Sequence, residues 1–162
     1  MNWSPAHFHL LVNHLPILGA PFVLLLLLWG MLARSRDLTR AALWLTLPLA
    51  LAGFVADQSG DSAKHALRSA SWVERPLVEE HEHRADLAEI GLYAAAAAGV
   101  LALWWGRTRP ADRWPAGLTA AVLFVAALLA AWTGLAGGVI RHTEIRTEVP
   151  ALSAPLPAPG VR

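Results

Sequence analysis

Seven histidines and no cysteines set the chemistry open to this chain. His7, His9 and His14 fall in HFHLLVNH, His65 in GDSAKHAL, His81 and His83 in EEHEHRAD, and His142 in GGVIRHTEI. Imidazole suits heme iron, copper, zinc and non-heme iron. The lack of thiols removes disulfides, thiolate metal sites and covalent heme attachment through Cys-x-x-Cys-His. Each histidine lies at the end of a long apolar stretch, where ionisable groups are costly and usually have a purpose.

The leading expectation is heme b held by two neutral imidazoles from different helices, one on each face of the ring. His14 and His142 are the first candidates, since each lies close to apolar sequence. His83 and His65 follow as axial ligands, with His9, His7 and His81 completing the cofactor-binding set. Asn13, Asp57 and Asp61 would orient the ligands. Arg84 or Arg141 would pair with propionates. Gly134, Gly138 and His142 recur every four residues, a stripe that leaves room for a flat macrocycle or for close helix packing. A saturated iron would pass electrons, for example between a membrane quinol and a periplasmic protein, making an electron-transfer protein rather than a stand-alone enzyme.

A second expectation is a non-heme site for zinc, copper or iron. Asp57, Asp61 and His65 share one helix face, and Glu79, His83 and Asp86 share another. Glu80-x-x-His83 is the spacing used in di-iron bundles, although it occurs once here and no other helix offers a matching glutamate. A third expectation is an accessory subunit of a larger membrane redox complex, with histidines that sense pH or satisfy one another.

The elements that must carry these residues are apolar helices. Of 162 residues, 56% are hydrophobic and only 15% charged, against about a quarter charged in ordinary soluble domains. Mean hydropathy is +0.44. The runs Leu15–Ala33, Ala41–Ala56, Ile90–Trp105 and Leu118–Ile140 suit a bilayer core of roughly 30 Å. The expected fold is all-α: a four-transmembrane-helix antiparallel bundle over residues 1–146, with spans near 6–33, 40–66, 77–106 and 116–142, then a Pro/Ala-rich tail, 147–162. Pro16 and Pro21 are expected to kink the first helix, and Pro16 frees the carbonyl of Val12. His9 and Asn13 share one face of that helix, and His7 and His14 another.

Orientation follows from arginine. The short loops 34–40 and 107–115 each hold three arginines and one aspartate. Such loops stay cytoplasmic. Both termini and all seven histidines then fall on the periplasmic side of a bacterial inner membrane, against membrane lipid. The N-terminus lacks the basic region of a secretory signal, so the first run reads as a retained span. A net charge of +1 gives no reason to expect nucleic acid as a partner.

The strings HFHxxxNHxP, the HE pair in EEHEHRADLAE, and GGxIRHTEI resemble a group of small four-helix bacterial inner-membrane proteins classed as a domain of unknown function. The resemblance covers residues 6–145. It implies the four-span fold and supplies no settled activity. At the level of architecture, inward-facing histidines in a small bundle also look like those of membrane b-type cytochromes.

Overall fold

The computed structural model describes residues 4–70 and 72–146, and every regular element among these is a helix. Five helices run in order: α1 (Pro5–Val12), α2 (His14–Leu32), α3 (Arg36–Ala66), α4 (Arg75–Thr108) and α5 (Trp114–Arg141), followed by a 3-10 turn at Thr143–Ile145. The expected Pro/Ala-rich tail lies outside the described residues, as does Trp3.

Local chemistry sets the helix ends. The Ser4 side chain accepts from the His7 backbone N–H, and Pro5 opens α1. Ser35 caps α3 through the Leu38 N–H, which starts that helix a turn earlier than the sequence suggests. The first span is interrupted between α1 and α2, although Asn13 itself keeps helical dihedrals. It breaks at Asn13, because Pro16 has no N–H to offer Val12. Pro21 and Pro48 are accommodated inside α2 and α3. At the far end of α5, Arg146 donates to Val139 O at 3.0 Å and Ile140 O at 2.8 Å, satisfying carbonyls that the helix leaves open.

Taking α1 and α2 together, four helical segments of 28, 31, 34 and 28 residues are long and apolar enough to cross a membrane. They pack in a ring: α2 on α3, α3 on α4, α4 on α5, and α5 on α2. The core is made of small residues and a few leucines, with Leu27 and Leu123 fully enclosed. The buried hydroxyls of Thr46 and Thr119 donate to carbonyls of their own helices, Leu43 O and Pro115 O. The outward faces carry Leu18, Phe22, Leu25, Leu101, Phe124 and Leu135, all exposed, as a lipid-facing surface would. Trp29, Trp44, Trp104 and Trp114 are exposed toward the arginine-loop end. There the Trp105 indole N–H donates to Asp112 at 2.9 Å, and Arg109 lies over the Trp105 ring.

α1 differs from the rest. It packs chiefly on α3, while α2 bridges α3 and α5. The first eight helical residues therefore ride on one neighbour, joined to the ring by the break at Asn13.

Candidate functional site

Two of the seven imidazoles turn into the bundle. His9, on α1, donates from Nδ1 to Ala56 O of α3 at 3.1 Å and to Ser59 Oγ at 3.0 Å. The Ser59 hydroxyl itself donates to Ala56 O at 2.8 Å. His81, on α4, donates from Nδ1 to Thr133 O of α5 at 3.1 Å. Both rings are half-buried, and the other five are exposed.

The two mounts match. A methyl at Gly60 would lie 3.4 Å from Cε1 of His9, and one at Gly137 would lie 3.2 Å from Cε1 of His81. Gly60 follows Ala56 by one helical turn, and Gly137 follows Thr133 by the same turn. In each case the ring reaches a helix carbonyl because the residue above that carbonyl has no side chain. With Nδ1–H committed to a carbonyl, Nε2 keeps its lone pair and is the acceptor or ligand atom. His9 and His81 also lie within electrostatic reach of one another, with Asp57 near His9. Their helical segments stand opposite each other in the ring.

One turn below His9, the Asn13 Oδ1 is buried with no hydrogen-bond partner among the described residues. A buried acceptor left empty is uncommon and costs about 1–3 kcal/mol. It sits at the α1–α2 break, on the face that the sequence gives to His9.

The residues expected first as ligands lie elsewhere. His14 and His142 are exposed; His14 donates from Nδ1 to Leu10 O of the preceding turn at 2.7 Å, and His142 donates to Glu144 at 2.8 Å. His65 is exposed and donates to Asp61 O, its own helix carbonyl, at 3.0 Å. His7 pairs with the Ser4 hydroxyl at 2.8 Å, and His83 is exposed. Gly134 does not open a slot, because Ile17 of α2 fills the space beside it. Gly138 faces Ile145 of the 3-10 turn, and it is the intervening Gly137 that meets an imidazole. Arg84 lies over Trp132 and is held by Glu80 at 2.7 Å; Arg141 lies over Trp72. These contacts anchor both guanidiniums at the histidine-bearing rim.

The carboxylate set does not assemble. Among the described residues, no three His, Asp or Glu side chains gather to hold a metal ion. Asp61, His65, Glu79, His83 and Asp86 are exposed and Asp57 is half-buried. The facing ends of α3 and α4 are joined instead by an ion pair between Lys64 and Glu82, and Glu80, of the Glu80-x-x-His83 pair, is engaged by Arg84.

Sequence reasoning missed Ser59, Gly60, Thr133 and Gly137, which mount the inward rings. A signal for them exists. His-x-His opens both odd-numbered spans, at His7–His9 and His81–His83, and Gly-x-x-x-x-His closes both even-numbered ones, at Gly60–His65 and Gly137–His142. It also missed a contact between Tyr93, which donates to Glu89, one turn away on α4.

Two cavities lie near this end. A small one of about 130 Å³ is lined by Leu77, Glu80, Arg84, Leu135, Ala136 and Val139. An open groove of about 440 Å³ is lined by His14, Leu15, Leu18, Gly19 and Phe22. Neither is lined by His9 or His81. No protein family, curated protein or solved structure matches this chain. Fold and site together define an all-helical protein with four candidate spans and a pair of cross-helix-anchored imidazoles at one end.

Proposed function

We propose that this protein is a heme b-binding electron carrier of a bacterial inner membrane, an antiparallel four-span bundle with both termini and the histidine ends on the periplasmic side. In this reading His9 and His81 would hold the iron, in place of the His14–His142 pair. The observation that carries it is the shared mount: two imidazoles on opposite segments of the ring, each with Nδ1–H on a backbone carbonyl and Nε2 left as donor to iron. The residues suit the group in two further respects. Gly60 and Gly137 add no side chain beside the two rings, and one turn from His9 the buried Asn13 Oδ1 has no partner among the described residues. A macrocycle between the rings would need α1, which packs chiefly on α3, to move at the Asn13 break. When bound, heme supplies one-electron redox chemistry. The chain's own residues orient the ligands and exclude water. Membrane quinol, a periplasmic electron-transfer protein or a larger redox complex are the partners this position allows.

A second reading has one observation in its favour: the two cavities described above are lined by neither His9 nor His81, and an ion needs less room than a macrocycle. In that reading His9 and His81 hold copper, zinc or iron with further ligands from outside the chain.

The test is a visible spectrum of protein purified in mild detergent, with metal analysis on the same sample. A Soret band that shifts on reduction and disappears in both His9→Leu and His81→Leu supports heme. A colourless protein with stoichiometric copper, zinc or non-heme iron replaces heme with the second reading. A colourless, metal-free protein overturns both and leaves an accessory subunit.

A further inference from the structure

We propose that the arginine end of the bundle holds the head group of an anionic phospholipid, seated where the α2–α3 and α4–α5 loops meet at the carbonyl of Met31. This goes beyond the electron-transfer reading and needs only the four spans, not a cofactor.

Charge pairing is divided unevenly between the two ends. The four basic–acidic pairs among the described residues join Lys64 to Glu82, Arg84 to Glu80, His142 to Glu144 and Arg146 to Glu74, all at the histidine end. None uses a loop arginine. Arg34, Arg36, Arg40, Arg107, Arg109 and Arg113 are all exposed, against two aspartates, Asp37 and Asp112. Asp112 is already engaged by the Trp105 indole N–H at 2.9 Å. Directing insertion asks only that such charges stay on one side, not that they meet. Here they meet. The Met31 carbonyl accepts both the Arg34 backbone N–H, at 3.3 Å, and the Arg113 guanidinium. Two loops remote in sequence therefore present charge together where α2 packs on α5.

Arg34 stands where glycine would serve the backbone better. Its φ of 54° is the only left-handed one among the described residues. It occupies the first position past a Schellman end to α2: the Ser35 N–H reaches Gly30 O at 2.9 Å while the Arg34 N–H reaches Met31 O. Glycine usually fills that position, having no Cβ to clash. An exposed arginine there serves something other than the turn. The occupant follows from charge and depth. At the end of a span the guanidiniums face the layer of lipid phosphates, and the planar fork of arginine takes two phosphate oxygens at once. Basic clusters beside spans attract anionic head groups. Next to the charges α2 and α5 carry exposed apolar side chains: Leu32 is 84% exposed, Trp29 67% and Trp114 57%. The acyl chains of the same molecule lie along these, which a free phosphate cannot do.

The experiment titrates the full chain, in phosphatidylcholine nanodiscs, with cardiolipin, phosphatidylglycerol or phosphatidylethanolamine, and reads retained lipid by native mass spectrometry. Both faces of a nanodisc are open, so the direction of insertion in the cell does not enter. The two anionic lipids are expected to bind about tenfold or more tightly than phosphatidylethanolamine, and inorganic phosphate is expected not to displace them. Arg34→Gly removes most of that preference while the thermal stability of lipid-free protein holds or rises, since glycine suits the backbone there. Arg113→Gln also lowers it, and Arg113→Lys recovers part. The double variant Arg68→Gln, Arg75→Gln, which removes two exposed charges from the histidine end, leaves it unchanged. A photoreactive phosphatidylglycerol labels residues 29–34 and 113–118. Equal retention of anionic and zwitterionic lipid, an undiminished preference in Arg34→Gly, displacement by phosphate, or labelling confined to the histidine end overturns the proposal. So does an equal loss in the Arg68→Gln, Arg75→Gln variant, which would leave net charge as the whole cause. The same titration on a His9→Leu, His81→Leu double variant separates this site from the cofactor reading: the lipid preference persists there even if no heme is found.

Discussion

His9 and His81 hang from the bundle by the same device: each ring donates to the carbonyl of an adjoining helix at 3.1 Å and lies against the glycine one turn beyond. The two mounts use different helix pairs, α1 on α3 and α4 on α5, so neither is a by-product of the other. A single inward histidine is readily explained as a satisfied polar group. Two mounted through the same ring nitrogen are the observation on which the proposed shared ligand rests.

Ligand identity gives the first prediction. His9→Leu and His81→Leu should each lower bound cofactor more than tenfold, measured as Soret absorbance or metal per protein. His14→Leu and His142→Leu should leave it near the wild-type value, because their rings are exposed and turned to Leu10 O and Glu144. Retention in His9→Leu together with loss in His142→Leu would restore the pairing first expected from the sequence.

The glycines grade the second prediction. A methyl at Gly137 meets Cε1 of His81 at 3.2 Å, closer than the 3.4 Å at Gly60. Gly137→Ala should therefore displace its imidazole more than Gly60→Ala does. Overpacking of this kind costs roughly 1–3 kcal/mol. The check is cofactor retention together with thermal stability, and valine should be worse than alanine at both sites.

Much of this was legible in the residues. Long runs that are apolar on every side leave few soluble folds, and Ser4 with Pro5 marks a helix start that the structure keeps, whereas the Ser35 cap starts α3 a turn before the expected position. The break at Asn13 follows from the carbonyl that Pro16 frees. Choosing among seven histidines was harder, since nearness to apolar sequence favours His14 and His142 without saying which side of a helix faces the ring of neighbours. In a lipid-facing bundle both sides are apolar, so the usual stripe that marks the inner face is missing. What marks it here is the small residue opposite: Gly60 and Gly137 lie on helices remote in sequence from the rings they admit.

Asn13 yields the third prediction. Its buried Oδ1 has no partner among the described residues, so Asn13→Leu should raise the stability of cofactor-free protein by about 1–3 kcal/mol. The same change should weaken cofactor binding if the carboxamide completes the site. Thermal melts with and without cofactor separate the two effects. A variant that loses stability in both states would show that Asn13 serves only the helix break.

Acid sensitivity gives the fourth. Glu144, in the 3-10 turn beyond α5, is held below its ordinary value of 4.5 by a backbone N–H, its own, and by the His142 ring that donates to it. A depressed carboxyl pKa favours the folded state above the unfolded value, and that contribution is lost as pH falls through the folded value. Wild type should therefore lose helix-end order below pH 4.5, whereas Glu144→Gln should show a flatter acid limb. Because the carboxylate is exposed, the difference should shrink in high salt.

Topology is tested by the absence of native cysteine, which lets single substitutions report position without background. Ser69, in the connection between α3 and α4, lies at the histidine end, while Ala33 adjoins the first arginine loop and Ala111 lies in the second, and all three are exposed. With the arginine loops cytoplasmic, Ser69→Cys should react with a membrane-impermeant maleimide in spheroplasts, and Ala33→Cys and Ala111→Cys only after permeabilisation. The reverse pattern would put the paired imidazoles on the cytoplasmic side, facing a different set of redox partners. Reaction of Ser69 and Ala111 from one side would mean that α4 does not cross the membrane. The ring of helices would then not lie across the bilayer, and the antiparallel four-span reading would fall.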